Sequence, residues 1–187
     1  MEIWAAARAP GSMTPKMGTS NFARAAAQIS KGKVGVLATA ATVASGVYTR
    51  KIHEQGHFEV LEVGCPAFVP LVEAEKADSL EAFEACKHYL APLQRFGADT
   101  VVLGCTHYPL LLPALREIAP EINFVDPADF LAAEIAAYLG DVAPRTPDDT
   151  FWVSGPCDGV ENWIHRLLHN PQPRLKSGPV FDLVAQK

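Results

Sequence analysis

The chain has no basic run that would track a phosphate backbone, and 16 basic against 21 acidic residues leave a net charge of −5. Nucleic acid is therefore not expected as a partner. No apolar stretch reaches the roughly 18–20 residues of a membrane-spanning helix, so no membrane partner is expected either. The alanine-rich "IWAAARAPGS" near the amino terminus has no basic segment ahead of it and does not read as a signal peptide. Cysteine is sparse: Cys65, Cys86, Cys105 and Cys157 follow no disulfide framework and include no CxxC pair. This excludes a stapled secreted domain, predicts a reducing, cytoplasmic setting, and leaves zinc short of ligands, so no metal is expected. Aromatic residues, 9% of the chain, are scattered and form no stacking platform.

What is present is a core. Hydrophobic residues make up 49% and charged residues 20% of 187, enough for one domain or two small lobes. Residues 1–20 show neither helical nor strand period and read as a leader disordered in part. From Asn21 onward, strand and helix patterns alternate. Strands are predicted at Val34–Ala38, Glu59–Val63, "DTVVLGC", "INFVD" and "TFWVSG", with one further short strand at Val180–Val184. Helices are predicted in "NFARAAAQISKGK", from Ala40 to before Gly56 (weakened at Gly46), from a cap at Asp78 or Ser79 to Pro92, in "LLLPALREIA", in "PADFLAAEIAAYLG" and in "GVENWIHRLL". "DVAPRTPDD" and the tail after the last helix read as loop. The alternation predicts an α/β fold with a parallel sheet covered on both faces.

In such sheets ligands sit beyond the carboxyl ends of the strands. Thr39, Cys65 and Cys105 all lie at predicted carboxyl ends, so all three are expected at one edge. "LGCTHYPLLL" places a thiol (Cys105), a hydroxyl (Thr106) and an imidazole (His107) where a strand gives way to a helix. A helix amino terminus there is expected to lower the thiol pKa. His107 can tune the thiol, and Thr106 suits a carboxylate ligand. "GVLATAAT" offers similar equipment through Thr39 and Thr42. Against this, most buried cysteines are inert fillers, and Cys65 and Cys86 read that way. His53, His57, His88, His165 and His169 sit in no motif and read as surface or loop residues.

Three segments, "GVLATAATVASGVYTRKI", "GCPAFVPLVE" and "ADTVVLGCTHYPLL", occur in that order and together resemble signature segments of glutamate racemase. The likeness runs from about Ala23 to about Leu168 and thins after Val125. Related amino-acid and hydantoin racemases share the Gly-Cys-Thr core, whereas the His-Tyr-Pro continuation is most similar to the glutamate enzymes. The resemblance implies a cofactor-independent isomerase that interconverts L- and D-glutamate for peptidoglycan, using two cysteines on opposite faces of the α-carbon. It implies that Cys105 is the second of those cysteines and that His107 assists it. Glu73 matches an acidic residue near the active site, and Thr39, Thr42 and Thr106 match substrate-binding residues. On the residue pattern alone, Glu73 would be a solvated charge at a helix start.

The implied fold is a flavodoxin-like α/β lobe over residues 21–122, followed over 123–187 by an incomplete second α/β lobe. The family's Asp-Ser-Gly and Ala-Cys-Asn-Thr segments are absent from these 187 residues, and no cysteine precedes Cys65. One thiol can remove a proton, but delivery to the opposite face then has no donor; Cys157, in "SGPCDG", is the spare candidate. Strands "INFVD" and "TFWVSG" are expected to lack partners, leaving the carboxyl-terminal part loosely packed or self-associating. Two alternatives stay open. One is a non-catalytic remnant that binds glutamate or a protein. The other is a Cys/His-dependent hydrolase on the same scaffold, for which the sequence shows no oriented third group behind His107.

Overall fold

The computed structural model describes residues 20–140, 150–168 and 174–178. The expected leader, the Pro-rich loop at 141–149 and the strand expected at Val180–Val184 lie outside the described residues. The chain divides into two compact units, one ending at Gly140 and one beginning at Asp141.

The first unit alternates as its sequence predicts: α1 (Ser20–Ile29), β1 (Lys33–Ala38), α2 (Ala40–Ser45), α3 (Val47–His53), β2 (Glu59–Gly64), α4 (Phe68–Glu73), α5 (Leu80–Phe96), β3 (Thr100–Gly104), a 3-10 turn (Tyr108–Leu111), α6 (Leu112–Ile118), β4 (Asn123–Val125) and α7 (Pro127–Leu139). The four strands form one parallel sheet in the order β2-β1-β3-β4. β1 is central and is buried from Val34 to Ala38, which is why it reads as a continuous apolar run. Its side chains alternate between two helical layers. Val34, Val36 and Ala38 join Phe22, Tyr48, Ile52, Val102 and Val125 in the core beneath α1 and α3. On the other face α5 lies directly on β1. A Cβ at Gly35 would meet the Leu93 side chain at 2.9 Å, so any larger residue would force Leu93 to shift.

Four local expectations are corrected. The helix begun at Ala40 is two helices, because Gly46 adopts φ 59 and ends α2. α5 does not stop at Pro92. It carries on to Phe96, with Ala82, Cys86, Leu90 and Leu93 all buried along one face. It closes at Gly97 (φ 79), where the Gly97 and Ala98 amides donate to Gln94 and Leu93. Burial of Leu93 and that glycine cap outweigh the amide that Pro92 cannot supply. α4 was not foreseen; it makes Glu73 the last residue of a short helix rather than a helix start. Finally, the strand after 122 that was expected to lack a partner has one. β4 continues the β3 ladder through Thr100↔Asn123 to Val102↔Val125, and α7 packs on α1. "INFVD" is therefore not left without a partner strand.

The second unit contains β5 (Thr150–Val153), α8 (Val160–Leu168) and β6 (Arg174–Ser177). β5 and β6 pair in parallel, so "TFWVSG" also has a partner, in a segment read as loop. The Trp152 indole donates to Gly178 O at 3.1 Å and pins the end of that pair. No described helix is long and apolar enough to cross a membrane.

Burial gives the first unit a particular alkaline sensitivity. Desolvation raises the Cys86 thiol from 9.0 to about 12 and pushes the Cys65 thiol and the Tyr108 phenol higher still. Desolvation, then the negative charges at Cys105 and Glu62, raise the Tyr48 phenol from 10.0 to about 12. The unfolded chain releases these protons before the folded chain does. Their contribution is thus complete below the unfolded values, and stability falls as pH rises above 9.0. The denaturant midpoint is expected to hold steady up to about pH 8.5 and drop by about pH 10.5. An unchanged midpoint would contradict the burial of these groups.

Candidate functional site

The parallel register aligns Ala38 with both Gly64 and Gly104, so the chain leaves β1, β2 and β3 at one level. Thr39, Cys65 and Cys105 therefore stand at one edge of the sheet, as their strand-end positions predict. Their environments differ. Cys65 is 1% exposed; its amide donates to Ala38 O at 2.9 Å and its thiol points to Val63 O at 3.4 Å. Cys86 is buried in the α5 core. Cys105 is half-buried and accessible from the sheet edge.

The Cys105 turn is built by its neighbours. At Gly104 a Cβ would stand 2.9 Å from the Ala38 Cβ, and 3.1 Å from both Leu37 O and the Tyr48 ring. Only glycine lets β3 end so close to β1. The Tyr108 amide then donates to Cys105 O at 3.1 Å and closes the turn. Tyr108 is fully buried. Its hydroxyl donates to Cys65 O at 3.2 Å, and its ring meets Phe68 edge-on at 4.9 Å. The turn is thereby tied to the end of β2 and to α4.

Three of the predicted residues form a line. Cys105 Sγ lies 3.8 Å from His107 Nδ1, and His107 Nε2 lies 3.3 Å from Glu73 Oε1. Glu73 thus sets a negative charge beside the Nε2 side of the ring. Nδ1 faces the thiol, where a neutral ring with its proton on Nε2 accepts from sulfur. The orienting group that the sequence did not reveal behind His107 is thus Glu73, on α4. Glu73 is 63% exposed and His107 34%, so the pair sits in contact with water. Thr39 caps α2: its Oγ1 accepts from the Thr42 amide at 3.3 Å and lies 2.9 Å from Thr42 Oγ1. Both hydroxyls are half-buried, whereas Thr106 is exposed.

The expected lowering of the Cys105 pKa is corrected. Desolvation dominates and raises it; the His107 amide opposes this, and the Glu73 charge adds to the rise. The structural reason is that a turn and a 3-10 segment follow Cys105, while α6 begins only at Leu112, so the helix after β3 does not start at the sulfur. At neutral pH Cys105 is therefore a thiol, with the His107 ring beside it.

Pattern reading also missed Tyr48 and Tyr108, which shape the edge without reacting. Both lie inside the quoted segments, but only the packing around Gly104 and Phe68 reveals their part. In the second unit, Cys157 is half-buried in the turn after β5, where its carbonyl accepts from the Val160 amide at 3.0 Å. Among the described residues, no three His, Cys, Asp or Glu side chains gather as a metal-binding group.

Comparison with known proteins adds a second line of observation. A family model described as Asp/Glu/hydantoin racemase matches residues 15–135. The glutamate racemase of Carboxydothermus hydrogenoformans is 45% identical over 106 residues, covering 56% of this chain and 40% of that protein. The crystal structure of glutamate racemase isoform RacE1 from Bacillus anthracis superposes with a TM-score of 0.76 at 28% identity, over 87% of this chain and 63% of that one. Glutamate racemase from Thermus thermophilus, solved in complex with β-chloro-D-alanine, gives 0.70 at 32% identity, over 88% and 62%. The chain thus spans 40% of the Carboxydothermus protein and somewhat less than two thirds of each of the two solved structures.

Proposed function

This chain belongs to the Asp/Glu/hydantoin racemase family, and on that premise we propose that Cys105 is one acid/base group of a cofactor-independent inversion at the α-carbon of glutamate. The observation that carries the reading is the Cys105–His107–Glu73 line. His107 Nδ1 takes the thiol proton, the thiolate takes the substrate α-proton, and Glu73 stabilises the imidazolium that forms. Run backwards, the same line returns a proton to carbon from the same side. The desolvation that keeps the sulfur protonated at rest also makes its thiolate a stronger base, which so weak a carbon acid requires. The hydroxyls of Thr39, Thr42 and Thr106 are the donors proposed for the substrate's carboxylates.

Inversion needs a second donor on the opposite face of the carbon. Cys65 and Cys86 are buried and do not reach it. The first unit therefore carries one side of the reaction. In the same reading the chain works in the cytoplasm, on the supply of D-glutamate for peptidoglycan.

Site occupancy is testable without turnover. Iodoacetamide is expected to alkylate Cys105 about tenfold more slowly when glutamate is present at ten times its dissociation constant, with the rate at Cys157 unchanged. Equal Cys105 rates with and without saturating glutamate of either hand would remove the substrate from this edge.

A further inference from the structure

The opposite end of the sheet carries a cavity that the racemase reading does not use. It lies at the amino ends of β1 and β2, has a volume of about 570 Å³, and is bounded by Lys31, Lys33, His53, His57, Phe58 and Glu59. β1 separates it from the Cys105 edge by six residues, about 20 Å of strand. Two lysines and two histidines face one glutamate across it.

The cationic groups are not spent within the unit. Lys33 is partly engaged: its Nζ donates to Phe96 O at 3.2 Å and lies 3.8 Å from Glu59. The Lys31 ammonium and the His57 ring have no hydrogen bond or ion pair with any described residue. His53 is oriented: its Nε2 lies 3.1 Å from Phe58 O, and because a carbonyl only accepts, Nε2 carries the proton and Nδ1 is left over. Glu59 is the carboxylate in the lining, 3.8 Å from Lys33 and 67% exposed, and Asp99, outside the lining, is held by the backbone. Asp99 Oδ2 accepts from the Lys31 and Lys33 amides at 3.0 and 3.4 Å, and Oδ1 from the Thr100 hydroxyl at 2.8 Å.

We infer that this cavity is a second ligand site, for small molecules that carry adjacent anionic groups of the diphosphate kind. A single carboxylate offers one charge to the ammonium groups of Lys31 and Lys33, whereas neighbouring phosphoryl groups offer two or more and can also accept an N–H from the His57 ring. The volume falls in the range of small-molecule sites and exceeds diphosphate alone, which leaves room for an organic group beside Phe58.

The test uses the full chain and inorganic diphosphate, followed by amide ¹H–¹⁵N shifts. Saturable shifts are expected at residues 31–33 and 53–59, with residues 105–107 unmoved. A Lys31→Gln/His57→Gln double variant is expected to bind at least about tenfold more weakly, since it removes two charge-assisted contacts. Its other amide shifts, matching those of the parent, report that the fold is intact. Orthophosphate is expected to bind more weakly than diphosphate. Shifts that never saturate, shifts spread over surface lysines elsewhere, or equal affinity in the double variant would each overturn the site. None of these readouts depends on Cys105, so the proposal stands or falls apart from the racemase reading.

Discussion

Replacing Cys105 with alanine is expected to lower α-deuterium incorporation into glutamate at least about a thousandfold, because the variant keeps the proposed substrate-binding hydroxyls but has no base in front of the carbon. Serine at this position is expected to lose nearly as much, since an alkoxide is far harder to form than a thiolate. Neither change should disturb the fold. Cys105 is half-buried, and its sulfur's hydrogen-bonding contacts are with His107, its neighbour two residues on. Glu73 acts through His107, so it is a positioning residue, and Glu73→Gln is expected to cost about tenfold. The readout that separates this from a structural effect is the pH profile. Glutamine leaves the imidazolium without a counter-charge, and it also removes a negative charge that raises the thiol pKa. The rising limb of the exchange profile is therefore expected at lower pH in Glu73→Gln, with the denaturant midpoint unchanged. A lower rate with the limb at the same pH would assign Glu73 to packing alone.

Tyr108→Ala is expected to be the most destabilising substitution at this edge. It empties a fully buried site between β2 and α4, removes the edge-on contact with Phe68, and leaves Cys65 O without its hydroxyl donor. Aromatic-to-alanine changes in cores cost about 3–5 kcal/mol, against a total of about 5–15 kcal/mol for a domain. Tyr108→Phe keeps the ring and gives up one hydrogen bond, so a loss near 1 kcal/mol is expected. Urea unfolding of the three proteins measures both. Equal stability of Tyr108→Ala and the parent would mean that the Cys105 turn is not anchored through this ring.

The elements were legible in the sequence where local chemistry decides them. The buried run at Val34–Ala38, the Ser79 cap and the Gly140 stop are readable because apolar period and backbone preference act over a few residues. Pro92 misled for the complementary reason: a proline breaks a helix only if nothing holds the next turn, and Leu93 in the core does. β6 was missed because a polar four-residue strand has no period of its own and exists through its pairing with β5. At the site, the residue types in "GCTHYP" pointed to Cys105 and His107, and parallel topology placed Thr39 and Cys65 at the same edge. The Glu73 contact could not be read from spacing, since it joins residues 34 apart through α4. Nor could the direction of the thiol pKa: it depends on burial and on where α6 starts, two facts set by packing.

The most direct measurement incubates the full chain in D₂O with L-glutamate and D-glutamate separately, following the α-proton by NMR and the configuration by chiral separation. One thiol on one side requires deuterium to enter a single enantiomer with its configuration retained, and requires that exchange to vanish in Cys105→Ala. Exchange that survives in Cys105→Ala, or no exchange with either enantiomer, would contradict the placement of the acid/base group at Cys105.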